Sequence, residues 1–274
     1  MNKYILYLPF GYTYLSRIKT IPKLISFILT IPIPCFVFFY FGLLSSSERD
    51  LSIGAGFVVS YVCVYIFYEN GYIQNDIKTV KKERNPTLRI VGELYDFIDT
   101  NYYSIILLRT LFFVFLLFLV LYVTPYIIII KIISYAFFTS VIYYFHNNIR
   151  NAFKTVTFFI LSSSRFIFPI LIFSSVMVPE KLAYIPLSVL IYTLPALLIY
   201  STKSFGLMHF IIGNENKYKI IYYFIMAVVF LLLYLLSLNN SVWLIMLIIF
   251  FYMMILVFIK KNIVNKKRYQ DVEG

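Results

Sequence analysis

Tyr68-Glu69-Asn70-Gly71-Tyr72-Ile73-Gln74-Asn75-Asp76 begins inside an apolar segment. It runs straight into Ile77-Lys78-Thr79-Val80-Lys81-Lys82-Glu83-Arg84-Asn85-Pro86-Thr87, the densest charge cluster of the chain. An apolar run that ends in charge reads as a membrane helix meeting water. At about 100° per residue, Glu69, Tyr72, Asp76, Thr79 and Glu83 share one face if the helix persists. Acids stacked along a membrane helix are tolerated when they hold a cation or pair with bases.

The same pattern recurs along the whole chain. Hydrophobic residues make up 61% of the 274, charged residues 13%, and mean hydropathy is +0.85. Continuous apolar runs of bilayer length exclude a soluble domain, and they also exclude a transmembrane barrel, whose strands alternate. The expected fold is all-α, a polytopic bundle of about eight spans forming one integral membrane domain over residues 1–274. The spans fall near 24–45, 52–74, 103–123, 126–145, 155–178, 183–201, 220–237 and 241–259, and a split of the bent N-terminal region makes nine. Pro32 and Pro34 should bend the first span. Residues 1–23 read as an interfacial N-terminal segment and 260–274 as a basic tail. Leu88, Val91, Leu94, Tyr95 and Ile98 recur at helical spacing opposite Glu93, Asp96 and Asp99. They predict a short surface helix, either a lid or a connector.

The formal charge of +12 is topological rather than a nucleic-acid signal. Of the 24 Lys and Arg residues, 19 lie in segments that this topology assigns to one side. That asymmetry predicts both termini in the cytoplasm of a cell with an inner membrane. No cleavable leader is expected, because the first long apolar run is span-length and lacks a small-residue cleavage site. Cys35 and Cys63 sit in apolar runs and make no metal or disulfide pattern. His146 and His209 are single loop histidines, and no nucleotide loop or nucleophile elbow is present.

Charges inside spans need a reason. Lys131 lies near a span end and can snorkel, and Arg109 reads as structural. Glu69 either pairs with an arginine of another helix or has a functional role. Arg165, after Ser162-Ser163-Ser164, either neutralises Glu69 or binds a phosphate. Asn75, Asp76 and Glu83 offer hard oxygen ligands suited to Mg²⁺, which needs few carboxylates when substrate phosphate completes its shell. Lys78, Arg84, Arg89, Arg150, Lys154 and Lys203 surround them with charge that favours an anionic head group.

Asn75-Asp76-x-x-Thr79-x-x-x-Glu83, followed by Arg84-Asn85-Pro86, resembles the first signature of the UbiA-type intramembrane prenyltransferase superfamily. That signature reads N-D-x-x-D-x-x-x-D with an Arg/Asn/Pro run shortly after. Asn75 and Asp76 match, Glu83 replaces the last aspartate conservatively, and Thr79 replaces the middle one. The basic loop ending at Lys154 occupies the place of a family segment rich in Tyr, Lys and Arg. The family's second motif, D-x-x-x-D after its sixth helix, is missing from Ser201-Thr202-Lys203-Ser204-Phe205-Gly206-Leu207-Met208-His209. The resemblance implies a lipid-open pocket walled by aromatics and a transferase for a polyprenyl phosphate or diphosphate, moving a prenyl chain or a phosphorylated sugar. It implies Mg²⁺ on Asn75, Asp76 and Glu83, chemistry at Asp76, Asn75 and Arg165, and substrate contacts from Glu69, Tyr72, Lys78, Arg84, Arg150, Lys154 and Lys203. The competing readings are a transporter, flippase or assembly subunit of envelope polysaccharide synthesis, or a prenyl-lipid binder without chemistry.

Overall fold

Long apolar stretches with few breakers leave the backbone one way to satisfy its N–H and C=O groups in lipid, namely helices. The computed structural model, which describes residues 3–82, 88–149, 153–202, 210–237 and 240–270, is accordingly all-α among those residues. Seven helices are long and apolar enough to cross a membrane, or eight when a bent pair counts as one span. In chain order they are α1 (Ile21–Leu43), α2 (Leu51–Thr79), the short α3 (Glu93–Thr100), α4 (Tyr102–Val123), α5 (Tyr126–Asn148) and α6 (Lys154–Ile172). The bent pair is α7 (Pro179–Ile191) and α8 (Thr193–Ser201), and α9 (Glu215–Leu236) and α10 (Ser241–Gln270) complete the chain. This makes a multi-pass integral membrane protein.

Proline marks both breaks. The first part of α1 stops at Thr30, and the helix restarts at Pro32, whose missing N–H costs nothing at a first helical position. Pro195 cannot donate to the Ile191 carbonyl one turn back, and there α7 and α8 bend by 41°. A third irregularity has no proline. Helix α2 widens into a π-helical turn at Asn75–Thr79 and tightens into a 3₁₀ turn at Val80–Lys82. The single helical face expected from Glu69 to Glu83 therefore does not persist beyond Asp76, and Glu83 itself lies outside the described residues.

The contacts divide the chain into two units, residues 1–29 with 49–176, and residues 30–48 with 177–274. In the first, α2 is the hub, packed against α4, α5 and α6. Because three neighbours surround it, α2 buries residues all round rather than along one stripe. In the second unit α9 and α10 form a hairpin, with Phe230 stacked on Phe250 at 5.3 Å. Lys181 and Asn240 tie α7 to the start of α10 through Ser241 and Tyr184, at 3.2 and 3.0 Å.

The N-terminal segment, expected as interfacial, contributes side chains to the core of the first unit. Leu6, Tyr12 and Leu15 are buried with Ile73, Ile77, Ile90, Ile98 and Ile105. Its short turns coil tightly, and a Cβ on Gly11 would stand 1.8 Å from the Ile5 carbonyl oxygen, so only glycine fits there. The predicted surface helix is shorter than expected. It starts only at Glu93, after Gly92 at φ +64°, and leaves Leu88 and Val91 exposed outside it. Ile98 packs α3 onto the N-terminal segment and the end of α2.

Candidate functional site

Four tyrosines of α2, Tyr61, Tyr65, Tyr68 and Tyr72, fall at spacings of four, three and four residues and therefore share a face. Their rings follow one another at 6.2, 5.7 and 5.1 Å. Phe10 stacks on Tyr65 at 4.4 Å, and Tyr143 of α5 meets Tyr68 and Tyr72 edge-on at 4.9 and 5.7 Å. Tyr143 reaches this position because Gly71 has no side chain: a Cβ there would lie 2.1 Å from the ring. Asn147 caps the contact by donating to the Gly71 carbonyl at 3.3 Å.

Arg165 of α6 places its guanidinium 4.7 Å over the Tyr68 ring. Together with Tyr61, Val64, Tyr65, Tyr68 and Pro169 it lines a narrow, partly open crevice. The crevice is too narrow to hold a water, and its walls are apolar except for tyrosine hydroxyls and the one cation.

Both acids of the opening motif lie C-terminal to the crevice along α2, Glu69 directly after Tyr68 and Asp76 about two turns further on. Glu69 is completely buried and pairs with the equally buried Arg109 of α4. Its oxygens also accept the backbone N–H groups of Phe10 and Thr13, each at 2.6 Å. Arg109 spends its other donors on Asn70 Oδ1 (2.8 Å) and on the carbonyls of Leu6 (3.0 Å) and Leu8 (2.8 Å). The pair is thus a clamp that holds the N-terminal segment against α2 and α4. Glu69 takes Arg109 as its partner, whereas Arg165 had been its expected alternative.

Asp76 sits in a different company. Oδ2 accepts from the Tyr12 hydroxyl (2.9 Å) and Arg17 (3.3 Å); Oδ1 accepts from Arg89 (2.7 Å) and the Asn75 amide (2.9 Å). Arg17 lies over Tyr72, with Cζ 3.5 Å from the ring centre. Burial, and then the negative charge of Asp76, hold the Tyr12 hydroxyl protonated far above the usual tyrosine range. The structure therefore brings together Tyr72, Asn75 and Asp76, with Tyr12, Arg17 and Arg89 around them.

No protein family, curated protein or solved structure matches this chain. The site must be judged on its own geometry.

Lys78 turns away from this group and, with Lys81, grips Asp99 of α3 at 2.9 and 2.7 Å. Those two lysines hold the Asp99 carboxyl below its ordinary range. Lys154 opens α6, half-buried. Glu83, Arg84, Arg150, Lys203 and His209 lie outside the described residues. Arg17 and Tyr12 were not singled out from sequence as site residues, since nothing local signals a contact across some 60 positions. The tyrosine spacing in α2 was a readable signal.

The described residues do not fit Mg²⁺. Both oxygens of Asp76 are occupied by two donors each, two of the four being guanidinium groups. Glu69 is equally committed, and among the described residues no three acids, histidines or cysteines group together. Hard divalent cations need free oxygen lone pairs facing a common point. What this arrangement offers is cationic and aromatic, suited to an anion with an apolar body.

Proposed function

We propose that the chain is a UbiA-like membrane transferase that handles a polyprenyl phosphate or diphosphate, in prenyl or phospho-sugar transfer. The observation that carries this reading is Arg165, a cation within a membrane span at the wall of a tyrosine-lined crevice. A buried intramembrane charge marks a substrate path by default, and guanidinium matches phosphate geometry. Charge asymmetry supports the cytoplasmic face of an inner membrane as the working side, with both termini there. In this reading the crevice opens to take the isoprenoid end next to the head group. Arg165 orients the phosphate, and the tyrosines around it give the isoprenoid chain an aromatic wall. No step is routed through a metal.

A second reading, a prenyl-phosphate binder without chemistry, is favoured by one observation. Both motif acids are consumed by arginines, which leaves no free carboxylate among them to act as a base.

The test uses the full chain in detergent, with Arg165→Gln compared with the unaltered protein for binding of farnesyl phosphate. Loss of a charge-assisted contact worth about 1.5–3 kcal/mol should weaken binding about tenfold or more. Unchanged affinity would contradict the assignment of Arg165. Turnover of a phosphorylated donor in reconstituted vesicles separates the transferase from the binder, for which lipid would bind without product.

A further inference from the structure

We propose that Arg17 and Arg89 grip the phosphate of the ligand directly, doing the work that a divalent cation would do, and that Asp76 is a positioning residue that holds them in place. This rests on the reading above that the ligand is phosphorylated.

One arginine would neutralise Asp76; the site has two. The carboxylate lies beneath them, its side chain only 3% exposed, while the side chains of Arg17 and Arg89 are 24% and 37% exposed. A net positive charge therefore faces outward from a buried anchor. Each guanidinium has five N–H donors, and Asp76 takes one from each. Arg17 Nε is buried with no acceptor among the described residues. Contact with the Tyr72 ring, at 3.5 Å, and the bond to Asp76 hold the Arg17 guanidinium in place before any ligand arrives. Tyr72 meets Tyr68 edge-on, and Tyr68 lies under Arg165. The arginine pair and the crevice are thus joined by two rings of one helix. A phosphate seated on Arg17 and Arg89 would lie at one end of the aromatic face that leads to the crevice. The shared chemistry is a phosphate monoester, from a lipid head or from free phosphate.

The experiment measures farnesyl phosphate binding to the purified full chain in EDTA and in excess Mg²⁺, with inorganic phosphate as competitor. The expected result is the same affinity in both buffers. Arg89→Gln is expected to weaken binding about tenfold while the thermal midpoint holds, since Arg17 still neutralises Asp76. Arg17→Gln provides the second variant. Asp76→Asn is expected to weaken binding to the same extent in EDTA and in Mg²⁺, because the two arginines lose their charged anchor, whereas changing a metal ligand would remove only binding that depends on Mg²⁺. Binding that vanishes in EDTA and returns with Mg²⁺ overturns the arginine assignment and leaves the proposed function standing. Phosphate-independent binding in both buffers overturns the proposed function itself. Competition by inorganic phosphate at equal concentration keeps the arginine site but overturns a lipid source for its ligand.

Discussion

Glu69→Gln should cost about 3–5 kcal/mol, the range for removing one partner of a buried ion pair. The substitution leaves the Arg109 guanidinium charged and uncompensated where no water reaches it. It also turns an amide N–H₂ toward one of two backbone donors, Phe10 or Thr13, that now find carboxylate oxygens at 2.6 Å. Against a typical total of about 5–15 kcal/mol, that loss removes much of the folded population. The readout is the monodisperse fraction in detergent and its thermal midpoint. Changing both partners, Glu69→Gln with Arg109→Gln, should recover much of the loss, because no lone charge remains buried. A Glu69→Gln protein that is stable but inactive would mean that Glu69 works on substrate, and the clamp assignment would be wrong.

Gly71→Ala is expected to destabilise by about 1–3 kcal/mol, the cost of overpacking a filled core. The sign is informative, because alanine in a helix interior is otherwise better than glycine by about 0.5–1 kcal/mol. The new Cβ would lie 2.1 Å from Cγ of Tyr143 and 2.4 Å from both Cδ atoms. These ring atoms are close to the backbone and cannot swing aside like a side-chain tip. The ring is also held between Tyr68 and Tyr72, so its displacement disturbs the rings under Arg165 and Arg17. Phosphate-ligand binding should therefore weaken together with stability. Gly71→Ala with Tyr143→Ala restores room and should regain part of the stability. A stabilised Gly71→Ala would show that Tyr143 does not pack there.

Much of the architecture was readable because lipid leaves few options. Seven of the eight expected spans became helices long enough to cross a membrane, the fifth ending early at Ile172 and the sixth being a bent pair, and Pro32 marked the break in α1. Pro195 carried the same signal for the bend between α7 and α8, which hydropathy alone passes over. Leu88 and Val91 misled because their helical spacing is genuine while Gly92 starts the helix after them. The need of Glu69 for a basic partner followed from burial cost, but the choice of Arg109 over Arg165 depends on how α4 and α6 face α2. The group at Asp76 was half legible. Its charge was visible, and Arg89 stood near it in sequence. Arg17 came from ahead of the first span, two spans away in sequence, in a segment whose aromatic and basic composition resembled an interface. The π-helical turn at Asn75–Thr79 has no local signature that would have announced it.

The most direct measurement compares saturation binding of farnesyl phosphate with that of farnesol on the purified full chain. The two share the isoprenoid and differ only in the anion that the arginines are argued to hold. The account predicts saturable binding of the phosphate at least about tenfold tighter than the alcohol. Equal, unsaturable uptake of both would show that this protein merely dissolves isoprenoids, and it would contradict a phosphorylated-lipid site in the first unit.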